Sequence, residues 1–342
     1  MGTEAMDLDR WCPTDCAIAT VHDDVIRARI LTRLDGPSLA CAACASSRLR
    51  SIVASDGASL WTEATRAAWP STSSPPLTCL IPSFPKGYLS FFSDSHPALL
   101  PVTTSQPAVQ PADPPSGLIS AVDLFYEDRI LLSQVVETET HTAWFDSSPF
   151  RIDVLGLKES IRTDVGDGRT GTCGDLARGM RLSWILIDRE GRRAANVSSH
   201  EPVEVQRHWL TGDVRVKFTS TVGVTAEGEG TAQCVVVVTC QEGEGVGVGV
   251  RVREVSLQVE DVEGTVMSGR ESLGILTGVI RGERGRGKVR AGEERRRFEE
   301  FERRKKERKE RRRRREGRVD LLFVAVGVLC YVLFWGLLCC SK

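Results

Sequence analysis

The spacing of apolar residues divides the chain into stretches of different character. Over residues 21 to 61, Val25, Ile26, Ile30, Leu31 and Leu34 recur at three- and four-residue intervals opposite Asp24, Arg27 and Arg33, which predicts an amphipathic helix. Asp35-Gly36-Pro37 ends it, because Gly36 tolerates a left-handed turn and Pro37 suits only the first turn of a following helix. A second, Ala- and Cys-rich helix is expected from about Ser38 to Ala45 and a third from about Ser47 to Ala54. Leu60-Trp61 then serves as a bulky apolar anchor, and the helical character runs on to Trp69. From Leu118 the pattern shifts to short β-branched and aromatic runs between turn signals. Strands are expected at Leu118 to Phe125, Ile130 to Glu137, Thr142 to Phe145, Phe150 to Leu155, Arg181 to Ile187, Val203 to Trp209, Val214 to Val222, Gln233 to Thr239, Val250 to Val259 and Gly274 to Ile280. Asp188-Arg189-Glu190-Gly191 and Thr211-Gly212-Asp213 read as hairpin turns, and the Gly-rich stretch 243 to 249 as a loop. The expected class is α+β: a helical unit, then a mainly β domain of sandwich or jelly-roll type.

Composition sharpens these boundaries. With 342 residues the chain has room for two domains and appendages. Residues 1 to 18 read as disordered, 19 to 69 as the helical domain, 70 to 117 as a Pro/Ser-rich linker interrupted by Tyr88 to Phe92, and 118 to 281 as the β domain. A net charge of -1 hides an asymmetry: residues 281 to 318 hold 20 Lys/Arg against 9 Asp/Glu, leaving 25 against 37 elsewhere. An acidic body argues against specific grip on nucleic acid, and residues 281 to 318 alone would support only salt-sensitive, nonspecific binding. The acidic start, MGTEAMDLDRW, is unlike a secretion signal, and Met6 stands where a myristoylation site needs Ser or Thr. Eleven Cys without repeating spacing read as free thiols, with Cys41 and Cys44 as small core residues.

A helical unit of about 40 residues cannot hold a sizeable core alone and gains stability by docking. The ordered landmarks, a helix followed by Leu34-Asp35-Gly36-Pro37, Leu39, Cys44-Ala45-Ser46-Ser47-Arg48 and Leu60-Trp61, resemble the F-box. That resemblance implies three helices packed on a Skp-type adaptor of a cullin-based ubiquitin ligase, while the rest of the chain selects an unknown protein substrate. On these terms Val21, Val25, Ile26, Ile30, Leu31, Leu34, Pro37 and Leu39 would face the adaptor, and Cys44, Leu49, Ile52, Leu60 and Trp61 would form the F-box core. LISAVDLFYEDRILLSQVVETETHTAWFDSSPFRIDVL and LSWILIDREGRRAANVSSHEPVEVQRHWLTGDV resemble the long C-terminal region of a plant F-box subgroup, a domain of unknown ligand. The implied protein is non-catalytic and uses no cofactor. A different class stays open beside it: a membrane-anchored, lectin-like or lipid-binding β-sandwich with no ubiquitin role.

The C-terminus carries two further signals. Residues 282 to 318 form a charged helix with acid-before-base pairs at i,i+4, such as Glu300 to Arg304 and Glu310 to Arg314, and no heptad seam. Leu321 to Cys340 has no charged residue and as a helix would span about 30 Å, so residues 319 to 340 are expected to cross a bilayer. With Ser341 and Lys342 following, the expectation is a tail anchor whose polybasic flank, Arg311 to Arg315 and Arg318, holds the body in the cytosol and meets anionic lipid, the endoplasmic reticulum being one such membrane. Cys330, Cys339 and Cys340 are palmitoylation candidates. Sites for chemistry are sparse. GERGRGKV, residues 282 to 289, falls short of a P-loop because Val289 replaces the magnesium-binding hydroxyl. His22, His96, His141, His200 and His208 show no metal-ligand spacing, although His200 and His208 flank an expected strand and could line a pocket. Asn196-Val197-Ser198 is a sequon, expected to stay unglycosylated in the cytosol.

Overall fold

In the computed structural model, residues 21–55, 57–96, 115–156, 159–163, 173–223, 231–242, 250–282 and 292–340 are described. The chain forms two compact units, Met1–Phe92 and Ser93–Lys342. The expected stretches 1 to 18 and 243 to 249, and GERGRGKV beyond Gly282, lie outside the described residues.

In the first unit the expected opening helix is a succession of three short pieces: α1 Asp23–Val25, a π-helical turn Ile26–Ile30 and a 3₁₀ turn Leu31–Arg33. Next come α2 Gly36–Ala45, α3 Ser47–Ser55 and α4 Gly57–Ala68. Asp35 caps α2, its carboxylate accepting the Ser38 N–H at 2.9 Å, and Pro37 sits in the first turn where its missing N–H costs nothing. Gly36 is therefore helical, not left-handed. The need for glycine comes from Phe92, whose ring lies 2.0 Å from where a Gly36 Cβ would stand. Residues 70 to 96, expected as part of a linker, are helical: a 3₁₀ turn Pro70–Ser73, α5 Pro75–Leu80, a 3₁₀ turn Ile81–Ser83 and α6 Tyr88–Ser95. Leu77 and Ile81 are fully buried. Trp69 stands 5.1 Å from Phe92 and 6.1 Å edge-on to Phe91, Trp61 stands 5.4 Å from Phe92, and Phe84 meets Phe91 edge-on at 5.6 Å. This aromatic cluster supplies the apolar area that three short helices lack.

In the second unit, ten strands among the described residues build two antiparallel sheets. One has the order β2-β1-β5-β6, from β1 Gly117–Tyr126, β2 Arg129–Glu139, β5 Met180–Asp188 and β6 Arg193–Asn196. The other runs β3-β10-β9-β8-β7, from β3 Arg151–Asp153, β7 Glu204–Arg207, β8 Val214–Gly223, β9 Thr231–Glu242 and β10 Val250–Glu260, with β4 Ile161–Thr163 also on β10. Alternate residues of both sheets enter one core: Val122 and Trp184 from the first, Val216, Val236 and Leu257 from the second. A bulge between Val252 and Glu254 shifts the register of β10, so Val252 and then Val255, Leu257 and Val259 all face inward.

Two expected strands are helices. Thr142 to Phe145 falls in α7 Ala143–Ser147, capped by the Thr142 hydroxyl accepting the Phe145 N–H at 3.1 Å. Gly274 to Ile280 falls in α9 Gly269–Arg281, started by a capping box of Ser268 and Glu271 and buried through Leu273, Leu276 and Ile280. A further helix, α8 Cys173–Gly179, was not expected. The Arg281 guanidinium donates to Asp188 at 2.9 Å, where that carboxylate, 1% exposed, also accepts the N–H groups of Glu190 and Gly191 and fixes the expected β5–β6 turn.

The charged and apolar C-terminal segments form one continuous helix, α10 Glu293–Cys340. Its beginning is packed, for Phe301 is 2% exposed and Lys305 reaches Glu260 at 3.4 Å. Glu300 pairs with Arg304 at 2.6 Å and Glu310 with Arg314 at 3.8 Å, as the i,i+4 spacing predicts. Among the described residues no helix is long and apolar enough to cross a membrane. The expected span over 319 to 340 is thus not found; in that stretch side chains are described from Leu321 as far as Tyr331.

Candidate functional site

The helical unit sorts its apolar residues into two sets. Ile26, Leu31 and Leu39 are buried, together with Ile52, Leu60 and Trp61, so the inward spokes of the opening helical segment are spent on its own core. Val25 at 47% and Ile30 at 39% exposure point outward, Pro37 is exposed, and Val21 and Leu34 are half-buried. Leu49 is half-buried as well. Cys41 and Cys44 are exposed on α2, against the expectation that they fill the core. The edge formed by residues 21 to 45 therefore offers small and medium apolar groups, with the charged side chains of Asp24, Arg29 and Arg33 exposed along the same segment. Burying such an edge on a partner gains about 25 cal/mol per Å² of apolar surface removed from water.

The edge is held by charge-assisted bonds. Arg48, from the Ser-Ser-Arg landmark, donates to Asp23 Oδ1 from Nε at 2.8 Å and from its terminal nitrogen at 2.6 Å, and reaches the Val21 carbonyl at 2.5 Å. It ties the start of α3 to the entry of α1. Sequence reasoning used Arg48 as a landmark and missed this clamp; an acidic residue two positions after the expected helix entry is the signal that could have exposed it.

Other candidate chemistry resolves into structure. His208 Nδ1 accepts the Thr211 N–H at 3.2 Å inside a turn, and the His200 N–H donates to Glu294 Oε2 at 3.2 Å. Burial keeps the His200 imidazole below its ordinary range, with Arg181 adding to the effect. Glu294 is pushed up to about 7 by its own burial. Neither histidine lines the cleft of about 110 Å³ bounded by Ser116, Gly117, Glu137, Arg189 and Glu190. That volume is well under the roughly 300 to 1,000 Å³ of small-molecule sites. The Asn196 carboxamide accepts from the Trp184 N–H at 3.3 Å and from Ser198 and donates to Ser183 at 3.1 Å, so the sequon asparagine is engaged in the sheet. Cys234 and Cys240 are buried, and their thiols are pushed up to about 12 by desolvation, which leaves them unreactive. Among the described residues no group of three His, Cys, Asp or Glu is placed to hold a metal.

Comparison with known proteins decides between these readings. The chain is 44% identical over 318 residues to Probable F-box protein At2g36090 of Arabidopsis thaliana, covering 92% of each chain. It is 42% identical over 331 residues to F-box protein At2g27310 of the same plant, covering 94% of this chain and 96% of the relative. The chain belongs to the plant F-box proteins. A third relative, F-box protein At3g44326, is 41% identical over 288 residues. No family model matches, and no solved structure matches. The match embraces the β domain as well as the helical unit, so the whole F-box chain, not a borrowed motif, is shared. As an F-box protein the chain is a non-catalytic ligase subunit, and membership implies partnership with a Skp-type adaptor and a cullin.

Proposed function

We propose that this F-box protein is the substrate-recognition subunit of a Skp-cullin-F-box ubiquitin ligase. Its helical unit docks on the adaptor through the exposed edge around Val25, Ile30 and Pro37, and its β domain takes the target protein. The observation that carries the reading is the full-length likeness to F-box proteins, joined to an outward apolar edge on the segment bearing the F-box landmarks. No bond chemistry is needed: holding a target beside a charged ubiquitin-conjugating enzyme raises its effective concentration, and the transfer follows. Affinity purification of the full chain tests this directly. Adaptor and cullin in stoichiometric yield are expected, and their absence under mild buffer contradicts the reading.

The same proposal extends to where capture occurs. Leu321 to Cys340 is uncharged and follows six basic residues between Arg311 and Arg318, and Leu321, Leu322, Phe323 and Val324 are all more than half exposed, a costly arrangement in water. These features support a tail held at a cytosolic membrane face. Membrane flotation at physiological salt checks it: the full chain floats with the membranes and a chain ending at residue 318 stays in the soluble fraction, whereas soluble behaviour of both removes the membrane from the proposal.

A further inference from the structure

The hairpin joining β7 to β8 carries two large apolar side chains at its apex. Trp209 is 87% exposed and Leu210 71%. The β1–β2 and β5–β6 hairpins instead turn through polar residues, Glu127-Asp128 and Arg189 to Arg192. The β7–β8 apex is held rigidly. The His208 N–H donates to the Asp213 carbonyl at 2.7 Å, the Gly212 N–H to the His208 carbonyl at 2.9 Å, and the Asp213 N–H to Thr211 Oγ1 at 3.3 Å. Gly212 supplies the positive φ of 73° that the turn demands. The His208 ring stacks along the Trp209 indole, centroids 6.5 Å apart, and the Arg207 guanidinium donates to the Gly212 carbonyl at 3.3 Å.

Charge surrounds this knob unevenly. Arg207 closes β7, Arg215 is exposed on β8, and Arg253 of β10 reaches Asp213 at 4.0 Å. The Asp213 side chain is largely covered, and among the described residues beside the turn Arg207, Arg215 and Arg253 are exposed. A single exposed apolar residue is ordinary on a protein surface. A preorganised Trp-Leu pair on a turn that also carries exposed arginines is not, because Trp and Arg dominate binding hot spots and a fixed backbone loses little entropy on docking.

We propose that the Trp209-Leu210 apex is the contact through which the β domain holds its target, and that its occupant is an apolar pocket edged by Asp or Glu on a folded protein. The inference rests on the substrate-receptor reading and names the surface that reading leaves open. The test uses the full chain in plant cells with the proteasome blocked, carrying a photo-crosslinking p-benzoylphenylalanine at position 209. The same group at Ile130, exposed on β2, serves as control. The expected result is a protein adduct at position 209, mapped to an apolar pocket with acidic neighbours and weakened at least tenfold by Arg207→Glu/Arg215→Glu. Ubiquitylation of that protein falls at least tenfold with Trp209→Ser/Leu210→Ser, while adaptor co-purification is unchanged. Adducts no stronger than those at Ile130, adducts to lipid, or a target still ubiquitylated normally by the apex variant overturn the proposal. If the unmodified chain fails to bring down adaptor, the ligase reading fails, and the crosslink map alone decides the apex contact.

Discussion

At the scale of single residues, the helical unit separates side chains that hold the fold from those free to meet a partner, and substitutions should report the difference. Leu31 is buried, so Leu31→Ala should cost about 2 to 5 kcal/mol of stability, read as a lowered denaturation midpoint, with any loss of partner binding following from unfolding. Gly36 is constrained by Phe92 and not by its backbone angles. Gly36→Ala pushes a methyl into that ring and should destabilise by about 1 to 3 kcal/mol, whereas an unchanged thermal midpoint would mean that Phe92 yields freely. Sequence periodicity located this helical segment but could not divide its apolar residues into inward and outward sets. Ile26 and Val25 are neighbours of similar chemistry, and only the packing of the folded unit decides which is enclosed.

At the scale of elements, what failed to be legible was helix hidden under strand-like or linker-like composition. Gly274 to Ile280 is rich in β-branched residues, yet Ser268 and Glu271 formed a capping box just before Leu273, Leu276 and Ile280 at helical spacing. Ser268→Ala should therefore lower stability by about 1 kcal/mol, measured by denaturant unfolding. The Pro/Ser-rich stretch after Trp69 resembles linker by composition. Pro70, Pro75 and Pro82 instead open helical turns, where the ring is tolerated, and Phe84, Phe91 and Phe92 supply the packing. The long strands were legible because Val214 to Val222 alternates apolar and polar residues and Gln233 to Thr239 is a run of β-branched residues. Helix α10 adds a pH dependence. Its Glu294 lies against the His200 backbone, with Glu293, Arg297 and Glu201 as charged neighbours and Arg181 and His96 acting on the His200 ring. Because Glu294 binds its proton more tightly when docked, its stabilising contribution is complete below about 4.5 and is lost as pH rises through about 7. His200, held low by burial, opposes this only on the acid side, losing stability as pH falls from its ordinary range. Amide hydrogen exchange over residues 293 to 301 should quicken between pH 6 and pH 8.5, after correction for intrinsic rates, and Glu294→Gln should abolish the change.

At the scale of the whole molecule, the sequence announced two kinds of domain and a charged, then apolar, C-terminus, and it carried the F-box landmarks in order. What it could not announce was the recognition surface of the β domain, because Trp209 reads as the end of a strand, with Leu210 just beyond it, until the turn at Gly212 lifts both into solvent. Substrate capture by this chain depends on whether the outward edge of the helical unit meets the adaptor. Calorimetric titration of a Skp-type adaptor into the full chain, beside its Val25→Asp/Ile30→Asp variant, measures that contact. Docking through this edge gives binding by the unmodified chain and a loss of about 2 kcal/mol, about thirtyfold in affinity, in the variant, with the same melting temperature for both. Equal affinity for the two chains, or no heat of binding with the unmodified one, would contradict it.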